Sequence, residues 1–558
     1  MDARSLPPRT SDAPLRISPQ LDSIWRYYRW IAVLLPAALW IWLCWDWPSR
    51  LGFYSDDWMV LLHPFVGTAE AFRDTINIVA TRPVSAPYIW LAQVIVDWSP
   101  VRSQILNAAM LLVTAASVGM LAGALSSVVH GFRAGALIAA CVGAATFVVF
   151  PSNVGTFAWG TGVTTAIPAV PLFCLATSLL LHSEGNWPRL ILGLTLALLS
   201  HLSYEAFYFQ EINFVLLAAV LRGEKIKDLH WRAIIGAALV NVACLASNRL
   251  NPGGIQKSFH WDFLSIFLGG YSQILSILGH AVREHRLLIA GTILVAGPSG
   301  AVCLARIVGG VRVYLLLLLT VCGVVAAGFL YASAGYGFSA EGIAARVGIV
   351  LATYYSVAAG VLAATVWFAI GRHRLPAIVF SLATAVSLVT LELTARARVN
   401  EWADTWSYEM ARLSRLPVAM ASFGGYQRVY VAIEDKGASA IEPATAPWEI
   451  TGAVAWATYK ATNNRSLTLD LWHESQTLPR WIEAAHDRFN RWDGHRFEQG
   501  FCGSSAVIYS AEGSEFWAWD TSSGELGAIT APWKHGCQQP RSEVLNNRNT
   551  AASAAIHP

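Results

Sequence analysis

From Ser103 to Val128 the chain carries no charged residue, and apolar runs of this kind recur along most of its length. Such a run makes a helix long enough to cross a bilayer, for which about 20 residues suffice. Composition closes off a single large soluble core. Of the 558 residues, 55% are hydrophobic and only 13% are charged, against about 25% charged in ordinary soluble domains. The chain therefore reads as an α-helical polytopic membrane protein. A net charge of +3 without a basic tract argues against a nucleic-acid partner. Cys44, Cys141, Cys174, Cys244, Cys303 and Cys322 lie in or beside apolar runs, where thiols act as small hydrophobes. No Cys/His spacing reads as a zinc site.

Residues 1–23 are polar, and 1–29 read as a cytoplasmic tail without a cleavable leader. A first helix is expected from about Trp30 to Cys44. Arg26 and Arg29 precede it and aromatic residues crowd both its ends, which places the N-terminus inside. Residues 46–102 then form an outer loop with a short interfacial helix at 84–96. Spans are expected at 103–128, 134–150 and 166–181, with 151–165 as a second outer loop. The apolar run 190–221 is broken by His201-Leu202-Ser203-Tyr204-Glu205 into two short helices that meet near the outer face. Further spans are expected at 233–250, 287–305, 313–331, 346–370 and 376–395. Segment 261–282 is taken to lie flat outside, because that choice keeps Arg306, Arg312, Arg372 and Arg374 in the cytoplasm. The total is about eleven transmembrane helices across residues 30–396. Residues 397–540 are rich in Trp, charge and turn residues. Alternating runs at 428–433 and 505–509 read as strands and Leu478–Phe489 as a helix. This predicts a small C-terminal α/β extracytoplasmic domain, followed by a disordered tail at 541–558.

Several residues have the types and placement that carry chemistry. Asp56 and Asp57 sit between Tyr54 and Trp58, just past the first helix. Such carboxylates can accept a proton, hold an acceptor hydroxyl, or bind Mg²⁺ or Mn²⁺. They equally suit the first turn of a helix, whose dipole they complement. His63 lies close by. Arg82 precedes Pro83, so no helix continues through it. His201, Tyr204 and Glu205 are ionisable or polar groups between two apolar helices, a costly position that favours a functional reading. Tyr336, Glu341 and Arg346 occupy an outer loop ahead of a span, where an Arg fork can grip a lipid phosphate. Arg283 and Arg286 form a second cationic pair. Cys502 and Cys537 are the two cysteines beyond the membrane region, and on the outer side they are expected to form a disulfide.

A helix, an outer loop with Asp56-Asp57, the step Thr81-Arg82-Pro83 and a return helix with Asn107 make an order that resembles the integral-membrane C-type glycosyltransferases. These enzymes take a sugar from a polyprenyl-phosphate carrier. The resemblance covers residues 30–400 in layout. It implies a glycosyltransferase acting on a glycan, lipid or protein acceptor at the outer face of the cytoplasmic (inner) membrane. It implies that Asp56 or Asp57 is the catalytic or acceptor-contacting residue and that Arg346 and Arg82 serve the donor phosphate. Tyr54, His63, Tyr204, Glu205, Tyr336 and Glu341 are expected to support them. No cofactor is required on this reading, with a divalent cation at Asp56 and Asp57 as the one candidate. The rival expectations are a flippase or transporter of lipid-linked sugars and a non-catalytic cell-envelope glycan assembly protein.

Overall fold

The computed structural model describes residues 34–250 apart from 55, 63–65, 80–81, 131–132, 166 and 225–228. It also describes 310–413 apart from 334–347 and 371–373, parts of 264–272 and 452–460, and four strands. After a first helix at 34–44 come α2 (Trp47–Arg50), α3 (Asp57–Val60), α4 (Ala69–Ile78) and α5 (Ser85–Val96). Then follow α6 (Pro100–His130), α7 (Arg133–Val148), α8 (Pro151–Phe157), α9 (Gly160–Thr165) and α10 (Ala169–Leu181). α11 (Trp187–Ser203), a 3₁₀ turn at Glu205–Phe207, α12 (Gln210–Arg222) and α13 (Trp231–Leu250) complete the first half. α14 (Gly310–Ser333), α15 (Ile349–Ile370) and α16 (Arg374–Leu413) form the second.

The centre of the molecule is the group α6, α7, α10 and α15. Lipid tails are as apolar as leucine, so close backbone approach drives such packing. Gly119 and Gly123 provide it on α6. A Cβ on Gly119 would stand 2.5 Å from the carbonyl oxygen of Ala140 on α7, and one on Gly123 2.9 Å from that of Ala136. Val118, Leu121, Ala122 and Ala139 are buried in the same contact.

Among the described residues four helical stretches are long and apolar enough to cross a membrane: Pro100–Val128, Gly160–Leu181 (α9 and α10 counted together), Ile349–Trp367 and Ile378–Ala411. A fifth arises if α7 and α8, bent by 67° at Pro151, count as one. The chain is a multi-pass membrane protein, but the expectation of about eleven spans is overturned. The break in the run 190–221 does fall where His201–Glu205 lie, yet it leaves helices of 17 and 13 residues. At 1.5 Å per residue these reach about 26 and 20 Å, short of a hydrocarbon core of about 30 Å. The apolar parts of α13 and α14, Trp231–Ser247 and Tyr314–Phe329, are short as well. The span expected at 287–305 lies outside the described residues.

Residues 151–165, expected as an outer loop, are instead two short helices with nearly every described side chain buried. Pro151 starts α8 without the amide hydrogen that a helix interior needs, so the chain turns inward there.

The expected α/β domain is corrected too. Residues 397–413 continue α16 through the boundary placed at 396. Beyond it, β1 (Val429–Ile433), β2 (Ser505–Ser510), β3 (Phe516–Asp520) and β4 (Leu526–Ile529) form a wholly antiparallel sheet in the order β1-β2-β3-β4. Ile508 pairs with Val431 on one side and Trp517 on the other. The helix expected at 478–489 and the tail at 541–558 lie outside the described residues.

Hydrogen bonds sort the ends of the helices into two faces. Arg222 donates to the carbonyl of Leu181 at 3.1 Å, and Ser127 lies 3.2 Å from His182 Nε2. The last turns of α6, α10 and α12 therefore share one face. On the other, Ser200 donates to the carbonyl of Ala169 and Ser85 to that of Ser203, both at 2.9 Å. The acidic loop, the start of α10 and the break after α11 meet there.

Candidate functional site

The loop begins on a charged clasp. The Arg396 guanidinium donates to Asp46 Oδ1 at 2.9 Å and to the carbonyl of Trp42 at 3.0 Å. Arg50 reaches Asp46 Oδ2 at 3.1 Å and Asn400 at 2.9 Å. These bonds tie the end of the first helix to α16. Residues 51–54 then leave the helix, with Leu51 extended, and all four are buried. Gln104 on α6 donates to the carbonyls of Gly52 at 2.6 Å and Ala158 at 3.0 Å. Asn107, one turn on, reaches the same Ala158 carbonyl at 3.4 Å.

Aromatic residues hold the next step. The Tyr54 hydroxyl donates to the carbonyl of Trp402 at 2.8 Å, and the two rings meet edge-on at 4.6 Å. Burial pushes the Tyr54 phenol well above its usual range. Phe53, Trp58 and Trp406 pack together, with Trp58 stacked on Trp406 at 6.0 Å.

The structure separates the acidic pair. Asp57 is fully buried. Its Oδ1 accepts from the Thr161 amide at 2.5 Å and the Thr161 hydroxyl at 2.8 Å. Its Oδ2 accepts from the amides of Tyr54 and Gly160, both at 3.1 Å. Gly160 and Thr161 open α9, so Asp57 satisfies amides that a helix start leaves without intrahelical partners. A Cβ at Gly160 would stand 2.6 Å from Leu61 Cδ1 and 3.3 Å from Asp57 Oδ1, so a larger residue there would have to displace the Leu61 side chain and crowd the carboxylate. Burial raises the Asp57 carboxyl to about 7, against the pull of its four donors. Asp56 stands at the N-cap of α3 and is half-buried.

Arg82 points at the helix break. Its Nε donates to Glu205 Oε2 at 2.9 Å and its NH2 to Oε1 at 2.6 Å, a two-bond fork. The guanidinium lies 4.7 Å above the Tyr204 ring. Below this surface pair, His201 Nε2 and Glu211 Oε1 stand 3.0 Å apart, both side chains at 0% exposure. Tyr208 meets the His201 ring edge-on at 4.9 Å.

Two groups named from the sequence are thus brought together: Tyr54 with Asp57, and Arg82 with Tyr204 and Glu205. His63, Tyr336, Glu341, Arg346, Arg283, Arg286, Cys502 and Cys537 lie outside the described residues. Sequence reasoning missed Glu211, Thr161, Asp46 and Arg396, and the three tryptophans Trp402, Trp406 and Trp456. Only the four-residue spacing of Trp402 and Trp406 gave a signal, since it puts both on one face of a helix. Among the described residues no three His, Cys, Asp or Glu converge to hold a metal ion, and both Asp57 oxygens already accept two hydrogen bonds each.

No protein family matches the chain, and no curated protein or solved structure matches it either.

Proposed function

We propose that this chain is a membrane glycosyltransferase that takes a sugar from a polyprenyl-phosphate carrier at the face bearing residues 46–99, with Asp56 as the working carboxylate. One observation carries the reading. Asp57 is fully buried where it anchors α9, whereas Asp56 is half-buried, so of the two carboxylates it is Asp56 that water and an acceptor can reach. The reading puts that face outside the cell. Arg222 and Arg189 close the opposite face, as expected of a cytoplasmic side. Asp56 orients the acceptor hydroxyl and takes its proton as the glycosidic bond forms, and the lipid phosphate leaves the sugar.

A second reading, a non-catalytic protein that carries or assembles lipid-linked glycan, also has an observation in its favour. Asp57, Arg82 and Glu205 are ionisable side chains of this face engaged with other parts of the protein, as in a binding scaffold. Purified protein supplied with a labelled polyprenyl-phosphate sugar and acceptor decides between them. Transfer that falls about 10²-fold in Asp56→Asn, the scale of a lost general base, at unchanged protein level supports the first. Full transfer by Asp56→Asn overturns the role of Asp56. Absence of transfer by the wild type, with the labelled lipid retained, supports the second.

A further inference from the structure

The tryptophan-rich stretch after the last membrane helix reads from sequence as part of a separate domain, but the structure wedges a piece of it into the acidic loop. Residues 452–453, 456–457 and 459–460 are helical, and Gly452, Ala453, Trp456 and Ala457 are buried. The Trp456 ring lies 6.5 Å from Phe53, 5.9 Å from Trp58 and 6.1 Å from Trp406. Its indole N–H donates to the carbonyl of Trp98 at 3.0 Å, and Tyr459 meets the Trp98 ring at 5.5 Å. Trp58 follows the acidic pair directly, and Trp98 closes the same loop forty residues later. Gly452 sits so tightly on Trp58 that any Cβ there would overlap the Trp58 backbone carbonyl.

We propose that the helical residues 452–453, 456–457 and 459–460 are a strap that joins the two ends of the acidic loop and fixes the position of Asp56, with Trp456 as its positioning residue. Two features favour a strap over incidental packing. A lone indole N–H is costly to bury without a partner, and here it is matched to a backbone carbonyl at the far end of the loop. The single ring also contacts three aromatic residues drawn from two separate elements, the loop and α16. Removing it therefore uncouples the loop from α16 as well as its beginning from its end. Only the consequence for sugar transfer rests on the function proposed above, because the strap is a claim about loop geometry.

The test uses the full chain in detergent with a cysteine reporter, Asp56→Cys, and reads maleimide labelling at residue 56 by mass spectrometry. A second reporter, Phe209→Cys, sits at the exposed helix break. Trp456→Ala and Gly452→Ala are each expected to speed labelling at residue 56 about tenfold, as local opening becomes easier. Labelling at residue 209 is expected to stay unchanged. Trp456→Phe keeps a ring and loses the N–H, so it gives a rise of a few-fold. It also keeps the proposal testable should either harsher variant fail to accumulate. Unchanged labelling at residue 56 in the variants that fold, or an equal rise at both reporters, overturns the strap. Faster labelling at residue 56, with no sugar transfer by the protein that keeps Asp56, would leave the strap standing and remove only the transferase reading.

Discussion

Asp57 and Glu211 are both fully buried carboxylates near the same face of the membrane domain, yet they are held in opposite ways. Asp57 accepts four hydrogen bonds, three of them from backbone amides. Glu211 faces one partner, His201, at 3.0 Å, and among the described residues none of the four polar side-chain atoms of this pair is aligned for a hydrogen bond. The first carboxylate is dispersed over the chain and resembles a helix cap supplied from another element. The second depends on a single side chain. Damage at Asp57 should therefore be graded, whereas damage at the pair should be all or nothing until both members are removed together.

The largest expected effect follows from that dependence. If the His201 imidazole is protonated the two form a buried ion pair, and removing one member of such a pair leaves the other uncompensated, at a cost of about 3–5 kcal/mol. His201→Leu and Glu211→Leu should each abolish accumulation of folded protein. The double variant, which takes away both polar groups, should recover most of it. Fluorescence-detected gel filtration of tagged variants reads this directly. A double variant no better than either single one would show that the two side chains do not act as a unit.

At Asp57 the expected loss is smaller. Asp57→Asn keeps an acceptor oxygen for one side but turns an amino group toward donors on the other. Buried donors left unmatched cost about 1–3 kcal/mol. The pH dependence has a definite sign. The carboxyl titrates at about 7 in the folded protein, raised from 3.8. Between those values the folded state holds a proton that the unfolded state has lost, so this group's contribution to stability falls as pH rises from about 4 to 7. Below 4 and above 7 it contributes no slope. Thermal unfolding in detergent at pH 5 and 7 should show a larger drop for the wild type than for Asp57→Asn. Equal drops would mean that Asp57 is ionised throughout that range.

The contrast between the two carboxylates also marks what the sequence could reveal. An acidic pair after the first helix was plain, and so was the polar break at His201–Glu205, because both interrupt apolar runs that a membrane helix needs unbroken. Which aspartate is anchored was not legible. Its partners, Gly160 and Thr161, stand about a hundred residues away in a stretch whose glycines look like loop. The same glycines let that stretch fold inward and bury itself, so composition pointed the wrong way. Span counting failed for another reason: both pieces of the broken run 190–221 were counted as spans, although helices of 17 and 13 residues are too short to cross. Arg82 and Glu205 each drew notice from sequence, yet nothing in their spacing said that they meet.

That meeting gives the smallest expected effect, and it tests whether partial exposure decides the worth of a charged contact here. The Arg82 and Glu205 side chains are 25% and 29% exposed, between the buried pair and an open surface. Surface ion pairs contribute about 0–1 kcal/mol because water screens the attraction and two long side chains must be ordered. The two-bond fork and the Tyr204 ring beneath it move the value toward the top of that range. A double-mutant cycle with Arg82→Gln and Glu205→Gln should return a coupling of about 1 kcal/mol in unfolding stability. Arg82→Lys should lose most of it, since an ammonium makes a point contact and cannot present two parallel N–H groups. Full retention by lysine would mean that charge alone matters and that the fork is incidental. A coupling above about 3 kcal/mol would put this contact with His201 and Glu211. The exposed face would then be as rigidly specified as the interior, leaving little freedom for Glu205 to yield Arg82 to a phosphate.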